Sequence, residues 1–221
     1  MSSISEKAAS PKERAILTFK KRGGILRTAE AIRAGIHPET LYSLLKDGRL
    51  ERLSRGVFRI ADGHPLSNPD LVKVATRIPT GVICLLSALS FHDLTTHVPH
   101  EVDIALPAGA EQPRMEHPPF RAYRFKGKSF TEGIETHRID GVQVRIYSAE
   151  KTLVDCFKCR NKIGIDTGVE ALRMYLRRRK IKSDELTKFA AICRVENVMR
   201  PYIEAIFLVK SNYGYKHLRT S

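Results

Sequence analysis

Around three leucines, Leu41, Leu44 and Leu45, the chain sets Glu39, Thr40, Tyr42, Ser43 and Lys46. At 3.6 residues per turn the leucines form one stripe of a helix, which puts Glu39, Ser43 and Lys46 on the opposite face. Thr40 and Tyr42 fall at its two edges. These side chains offer donors, acceptors and a methyl group, the set needed to read base edges in the DNA major groove. Glu39 repels phosphate but accepts from cytosine N4, so it discriminates more than it attracts. The residues around this face suit the DNA backbone instead. Arg27 and Thr28 mark the start of a short helix, where free N–H groups favour anions. Arg49, Arg52, Arg55 and Arg59 lie on or beside an expected hairpin, with Arg55 at its tip.

A small set of elements must position these groups. Ser10-Pro11-Lys12-Glu13 is a helix start with a capping box and proline at the first helical position, and Gly23-Gly24 ends that helix. Thr28 caps a second helix over 29–34, with Ile32 and Ile36 facing inward. Gly35 supplies a tight turn because it tolerates positive φ. His37-Pro38 opens the third helix and Asp47-Gly48 closes it. Two alternating segments, 50–53 and 57–60, flank Ser54-Arg55-Gly56. Three short helices followed by a basic hairpin spell a winged helix-turn-helix over residues 1–62, closed by the linker Asp62-Gly63-His64-Pro65. Such a unit also occurs as a protein-interaction module, and that reading stays open.

The remainder reads as a mixed body. A helix starts at Asn68-Pro69 and ends at Pro79. A buried strand is expected over 82–86, then a short helix capped by Ser87 and running to 94. Further strands are expected over 102–106, 120–125, 135–139 and 142–147, the last two joined by Asp140-Gly141. A proline-containing loop covers 107–119. From Ser148 the pattern is helical, over 149–160, 167–179, 184–193 and 197–210. The fold class is therefore α+β: an N-terminal winged helix-turn-helix, then a mixed α/β body over 63–210 with a helical, basic C-terminal region, then a tail over 211–221.

Several other constellations invite chemistry. Cys156-Phe157-Lys158-Cys159 is a C-x-x-C inside an expected helix, with no second pair to complete a zinc site and no redox placement at a helix start. Core packing of thiols is the expected role. Arg173, Arg177, Arg178, Arg179, Lys180 and Lys182 form the densest basic cluster, which is either a second nucleic-acid surface or a solvated helix end. Glu101, Asp103, Glu150 and Lys151 fall short of a metal-dependent nuclease pattern, since Glu150-Lys151 lacks the spacer residue that places both side chains on one strand face. Glu150 is expected at a helix start and Asp155 on that helix's polar surface. His92 and His97, flanking Asp93, read as surface or loop-packing histidines. No catalytic residue, metal site or cofactor is expected.

Charge bounds the partners. The 221 residues carry 38 Lys+Arg against 24 Asp+Glu, a formal +14. Residues 1–62 hold +6 of it, 63–150 hold −1 and 151–221 hold +9, so the excess sits at both ends. This favours a polyanionic partner, nucleic acid foremost. With no leader-like start, no apolar run long enough for a membrane and only 4 cysteines, a cytoplasmic location without membrane contact is expected.

The run Gly24-Ile25-Leu26-Arg27-Thr28, Ala34-Gly35-Ile36, Leu41 to Leu45 and Gly48 to Phe58 resembles the N-terminal domain of the AbiEi family, antitoxins of type IV (abortive infection) toxin–antitoxin systems. Ser87 to Leu94 and Tyr147 to Asp155 are similar to segments of that family's C-terminal part. The resemblance implies a winged helix that binds inverted repeats of double-stranded DNA in its own promoter and represses the operon, as part of phage defence. It also implies a C-terminal part that opposes a nucleotidyltransferase toxin without forming a stable complex with it. Two alternatives stay open: a winged helix fused to a nuclease-like enzymatic domain, and a plain ligand-responsive transcription factor.

Overall fold

The computed structural model describes residues 10–61, 65–178 and 181–214, with 207–214 by backbone alone. The linker expected at 62–65 therefore lies, except for Pro65, outside the described residues, as do Arg179, Lys180 and most of the expected tail. The fold is α+β, and the chain divides into two compact units. The first comprises Met1–Pro79 with Thr136–Val144, the second Thr80–Glu135 with Arg145–Ser221.

The first unit runs α1 (Pro11–Lys21), β1 (Ile25–Arg27), α2 (Thr28–Arg33), α3 (Pro38–Lys46), β2 (Leu50–Ser54), β3 (Val57–Ile60) and α4 (Pro69–Arg77). The capping box at α1 is formed: the Ser10 hydroxyl accepts the Glu13 N–H, and the Ser10 N–H donates to the Glu13 carboxylate at 2.7 Å. Phe19, Leu26, Ala31, Ile36, Leu41, Leu44, Leu50 and Phe58 make the core. Leu45 is half-buried against it. Gly35, at φ +83°, turns the chain between α2 and α3.

Four details differ from the sequence expectation. Ile32 is 47% exposed, because the short α2 needs only Ala31, with Ile36 beyond it, to cover its inner face. Thr28 is the first residue of α2 and not its cap: its hydroxyl donates to the Gly56 carbonyl at 3.2 Å, while the Glu30 carboxylate accepts the Arg27 N–H at 2.9 Å. The strand β1 is new. It is too short to show alternation, and pairing with β3 in the order β1-β3-β2 is what defines it. Asn68 precedes α4 without a side-chain bond of its own; Asp140 accepts from the Ser67 N–H at 2.9 Å instead.

The second unit carries β4 (Val82–Ile83), α5 (Leu85–Phe91), β5 (Val102–Pro107), β6 (Phe120–Phe125), α6 (Lys128–Thr131), β7 (Ile134–Ile139), β8 (Val142–Tyr147), α7 (Ala149–Lys158), α8 (Arg160–Ile163), α9 (Ile165–Leu176), α10 (Ser183–Cys193) and α11 (Glu196–Gly214). The sheet order is β6-β5-β4-β8-β7, and the turn end of its last hairpin is the segment grouped with the first unit. The strand expected over 82–86 stops at Ile83, and α5 begins at Leu85. The Asp103 carboxylate accepts the Leu86 N–H at 3.1 Å, which satisfies a free donor at the helix start. Ser87 is therefore inside α5, and its hydroxyl accepts the Asp103 N–H at 2.9 Å.

Helix α7 is enclosed, with α5, α9 and α10 packed on it. Every residue from Glu150 to Phe157 is buried, so Asp155 is a core residue and not the polar surface expected of it. Its carboxylate pairs with Lys151 at 2.5 Å and accepts from the Cys193 thiol at 3.5 Å. The i,i+4 spacing lets the two charges neutralise each other inside the core. Burial raises the Asp155 carboxyl above its ordinary range, and Lys151 works against that rise.

Candidate nucleic-acid interface

The exposed face of α3 is assembled as its periodicity requires. Leu41 and Leu44 are fully covered, Glu39 and Lys46 are exposed, and Thr40 and Ser43 are half-exposed. His37, at the N-cap, accepts the Glu39 N–H on Nδ1 at 3.4 Å. At the other end Asp47 closes the helix and pairs with Lys12 of α1 at 2.6 Å, tying the two helices. Gly48, at φ +69°, then turns the chain into the wing.

The wing shares its residues between two faces of the sheet. Pairing sets Arg52 opposite Phe58 and Glu51 opposite Arg59. Arg52 and Phe58 therefore lie on the face that carries Leu50, toward the helices, while Arg59 lies on the face of Val57. On the first face the Arg52 guanidinium sits 5.8 Å from the centre of the Phe58 ring, and Tyr42 of α3 meets the same ring edge-on at 6.3 Å. Phe58 thus anchors an exposed tyrosine from the helix and an exposed arginine from the wing on one buried platform. Sequence reasoning did not single out Phe58; its pairing with Arg52 becomes visible only once the hairpin register is known. Arg55 stands at the turn, exposed, beside Gly56 at φ +74°.

Three of the expected phosphate ligands are engaged elsewhere. Arg59 is ion-paired with Glu51 across the hairpin. The Arg27 guanidinium donates to the Ala75 carbonyl of α4 at 3.5 Å, and Thr28 is held by Gly56. Glu39, Tyr42, Lys46, Arg49, Arg52 and Arg55 are left as the exposed members of the set, with Thr40 and Ser43 partly so.

In the second unit Arg173, Arg177 and Arg178 are exposed on and just after α9. Arg178 donates to the His92 carbonyl. Lys182 donates its backbone N–H to the Tyr175 hydroxyl at 2.9 Å, and its ammonium lies 4.0 Å from Glu185. Arg179 and Lys180 lie outside the described residues. His92 is half-buried, its Nε2 at 2.7 Å from the Tyr147 carbonyl, whereas His97 is exposed near Glu170. Cys156 is in the core and burial pushes its thiol up; Cys159 is pushed up to about 11 for the same reason. Of the four residues weighed for nuclease chemistry, Asp103 holds Leu86, Glu101 pairs with Arg121, Glu150 accepts from Tyr175 at 2.7 Å, and Lys151 pairs with Asp155. Among the described residues no cluster of three His, Cys, Asp or Glu side chains is placed to hold a metal ion. No helix among them is long and apolar enough to cross a membrane.

Comparison with known proteins agrees with this geometry. Of solved structures, that of the RV2827C protein from Mycobacterium tuberculosis is similar in fold, with a TM-score of 0.56 at 14% identity over 83% of this chain and 72% of that one. No curated protein matches the chain. Residues 13–61, which span α1 to the wing, match the family described as "Transcriptional regulator, AbiEi antitoxin". The match covers α1 to the wing and none of the second unit, so it is this module that is similar to that family of transcriptional regulators.

Proposed function

We propose that the protein is a sequence-specific, double-stranded-DNA-binding autorepressor and antitoxin of a type IV toxin–antitoxin operon, and that it catalyses no reaction itself. The observation that carries this reading is the joint surface of α3 and the wing. There Glu39, Ser43 and Lys46 face outward beside Tyr42, Arg52 and Arg55, in a segment that matches a family of transcriptional regulators. In this reading α3 enters the major groove, and Ser43, Thr40 and Glu39 meet base edges. Arg49, Arg52 and Arg55 grip the flanking backbone, whereas Arg27 and Arg59 act through the fold, since their guanidinium groups already have partners. Inverted repeats in the operon's own promoter are the proposed target, and a nucleotidyltransferase toxin is opposed without a stable complex. Arg173 and Arg177 offer a second basic surface for nucleic acid.

Fluorescence anisotropy with the upstream DNA, at several salt concentrations, tests the first part. Arg55→Ala should weaken binding to all sequences and lower the slope of log K against log salt by about 1. Ser43→Ala should change base preference more than salt dependence. Equal affinity of the wild type for promoter and random DNA at moderate salt would overturn the repressor reading. Relief by the full chain of growth arrest caused by the operon's nucleotidyltransferase tests the second part.

A further inference from the structure

Elements of the second unit alone enclose a cleft of about 410 Å³, with Asp103 and Tyr123 in its wall and Leu86, Val98 and Pro99 among its apolar residues. Strands β5 and β6 run parallel with Asp103 opposite Arg121 and Ala105 opposite Tyr123. Alternation therefore places Glu101, Asp103, Arg121 and Tyr123 on one face.

Two of these groups are incomplete. Asp103 is 3% exposed and accepts the Leu86 N–H, but none of the described residues forms an ion pair with it. Arg121, its neighbour across the strands, gives its guanidinium to Glu101 at 2.6 Å. Tyr123 is also 3% exposed, and its hydroxyl, although Asp103 and Arg121 act on it, makes no well-aligned hydrogen bond with any of the described residues. Native interiors leave few such groups unpaired, and a buried carboxylate without a cation is costlier still. Burial holds the Asp103 carboxyl up at about 6, more than the Leu86 N–H, Arg121 and Tyr123 offset.

A carboxylate whose neighbouring guanidinium is ion-paired with Glu101, beside a phenol oxygen without a well-aligned donor, suits a positively charged N–H donor. Two carboxylates, Glu101 and Asp103, face the space with Arg121 already paired and His97 and His100 also in the wall, a balance that favours a cation over an anion when the histidines are neutral. Leu86, Pro99 and the 80% exposed Val98 suit a hydrocarbon stem. We propose that this cleft binds a small organic cation, a guanidinium or primary ammonium on a short apolar stem, whose N–H groups are received by the Asp103 carboxylate and the Tyr123 hydroxyl. The site is independent of the DNA-binding reading and stands or falls separately from it.

Isothermal titration calorimetry of the full chain with agmatine and spermidine, and with AMP as an anionic control, tests the proposal. Agmatine should bind saturably at one site, Tyr123→Phe should weaken it about tenfold, and Asp103→Asn should abolish it, since hydrogen bonds to charged groups are the strong ones. Tyr123→Phe keeps the ring and carries the test should Asp103→Asn fail to fold. Binding of neither cation by the wild type, binding unchanged in Tyr123→Phe, or displacement of agmatine by AMP would overturn it.

Discussion

Replacing Asp103 by asparagine is expected to stabilise the protein at neutral pH, and the size of the effect follows from the carboxyl's surroundings. Burial raises its pKa from 3.8 to about 6, with Glu101 adding to the rise and the Leu86 N–H, Arg121 and Tyr123 opposing it. That difference corresponds to about 3 kcal/mol by which folding disfavours the ionised form. The sign runs against the usual carboxylate case. Below pH about 4 both folded and unfolded chains hold the proton and the penalty is absent. Between pH about 4 and 6 the unfolded chain alone releases it, so stability falls as pH rises, and above about 6 the full penalty is present. An asparagine at this position would keep an acceptor for the Leu86 N–H and carry no charge. Asp103→Asn should therefore match the wild type near pH 4 and exceed it by about 2–3 kcal/mol at pH 7.5. Urea unfolding followed by far-UV circular dichroism at both pH values reads this directly, and comparison at equal pH cancels the other titrating groups. A variant no more stable at pH 7.5, or a difference that does not change with pH, would refute the reasoning.

Lys151→Met should destabilise the second unit by about 3–5 kcal/mol, because it leaves Asp155 buried without its cation, and Lys151→Met with Asp155→Leu should recover most of that loss in a denaturant-based double-mutant cycle. Phe58→Leu should cost less than about 1.5 kcal/mol of stability, yet weaken promoter binding up to about tenfold in anisotropy titrations by releasing Tyr42 and Arg52 from their shared ring. Tyr42→Ala combined with Phe58→Leu should then cost less affinity than the two changes added.

Periodicity and punctuation alone determine much of this protein. The cap at Ser10, the prolines at the first positions of α1, α3 and α4, and the leucine stripe of α3 act within one turn of chain, so their consequences are visible in the sequence. The exposed face of α3 follows from the same stripe. Tertiary structure decides what local signals cannot carry. Arg27 and Arg59 look like Arg52 and Arg55 in sequence; the register of β2 on β3 and the packing of α4 give the first two internal partners and leave the others outside. A three-residue strand has too few positions to show alternation, so β1 exists only by pairing with β3. Asp155 reads as helix surface until α5, α9 and α10 enclose α7 from several sides. Asp103 and Tyr123, twenty residues apart, acquire their meaning when parallel pairing of β5 and β6 brings them to the wall of one cleft, where burial leaves the Tyr123 hydroxyl without a well-aligned partner.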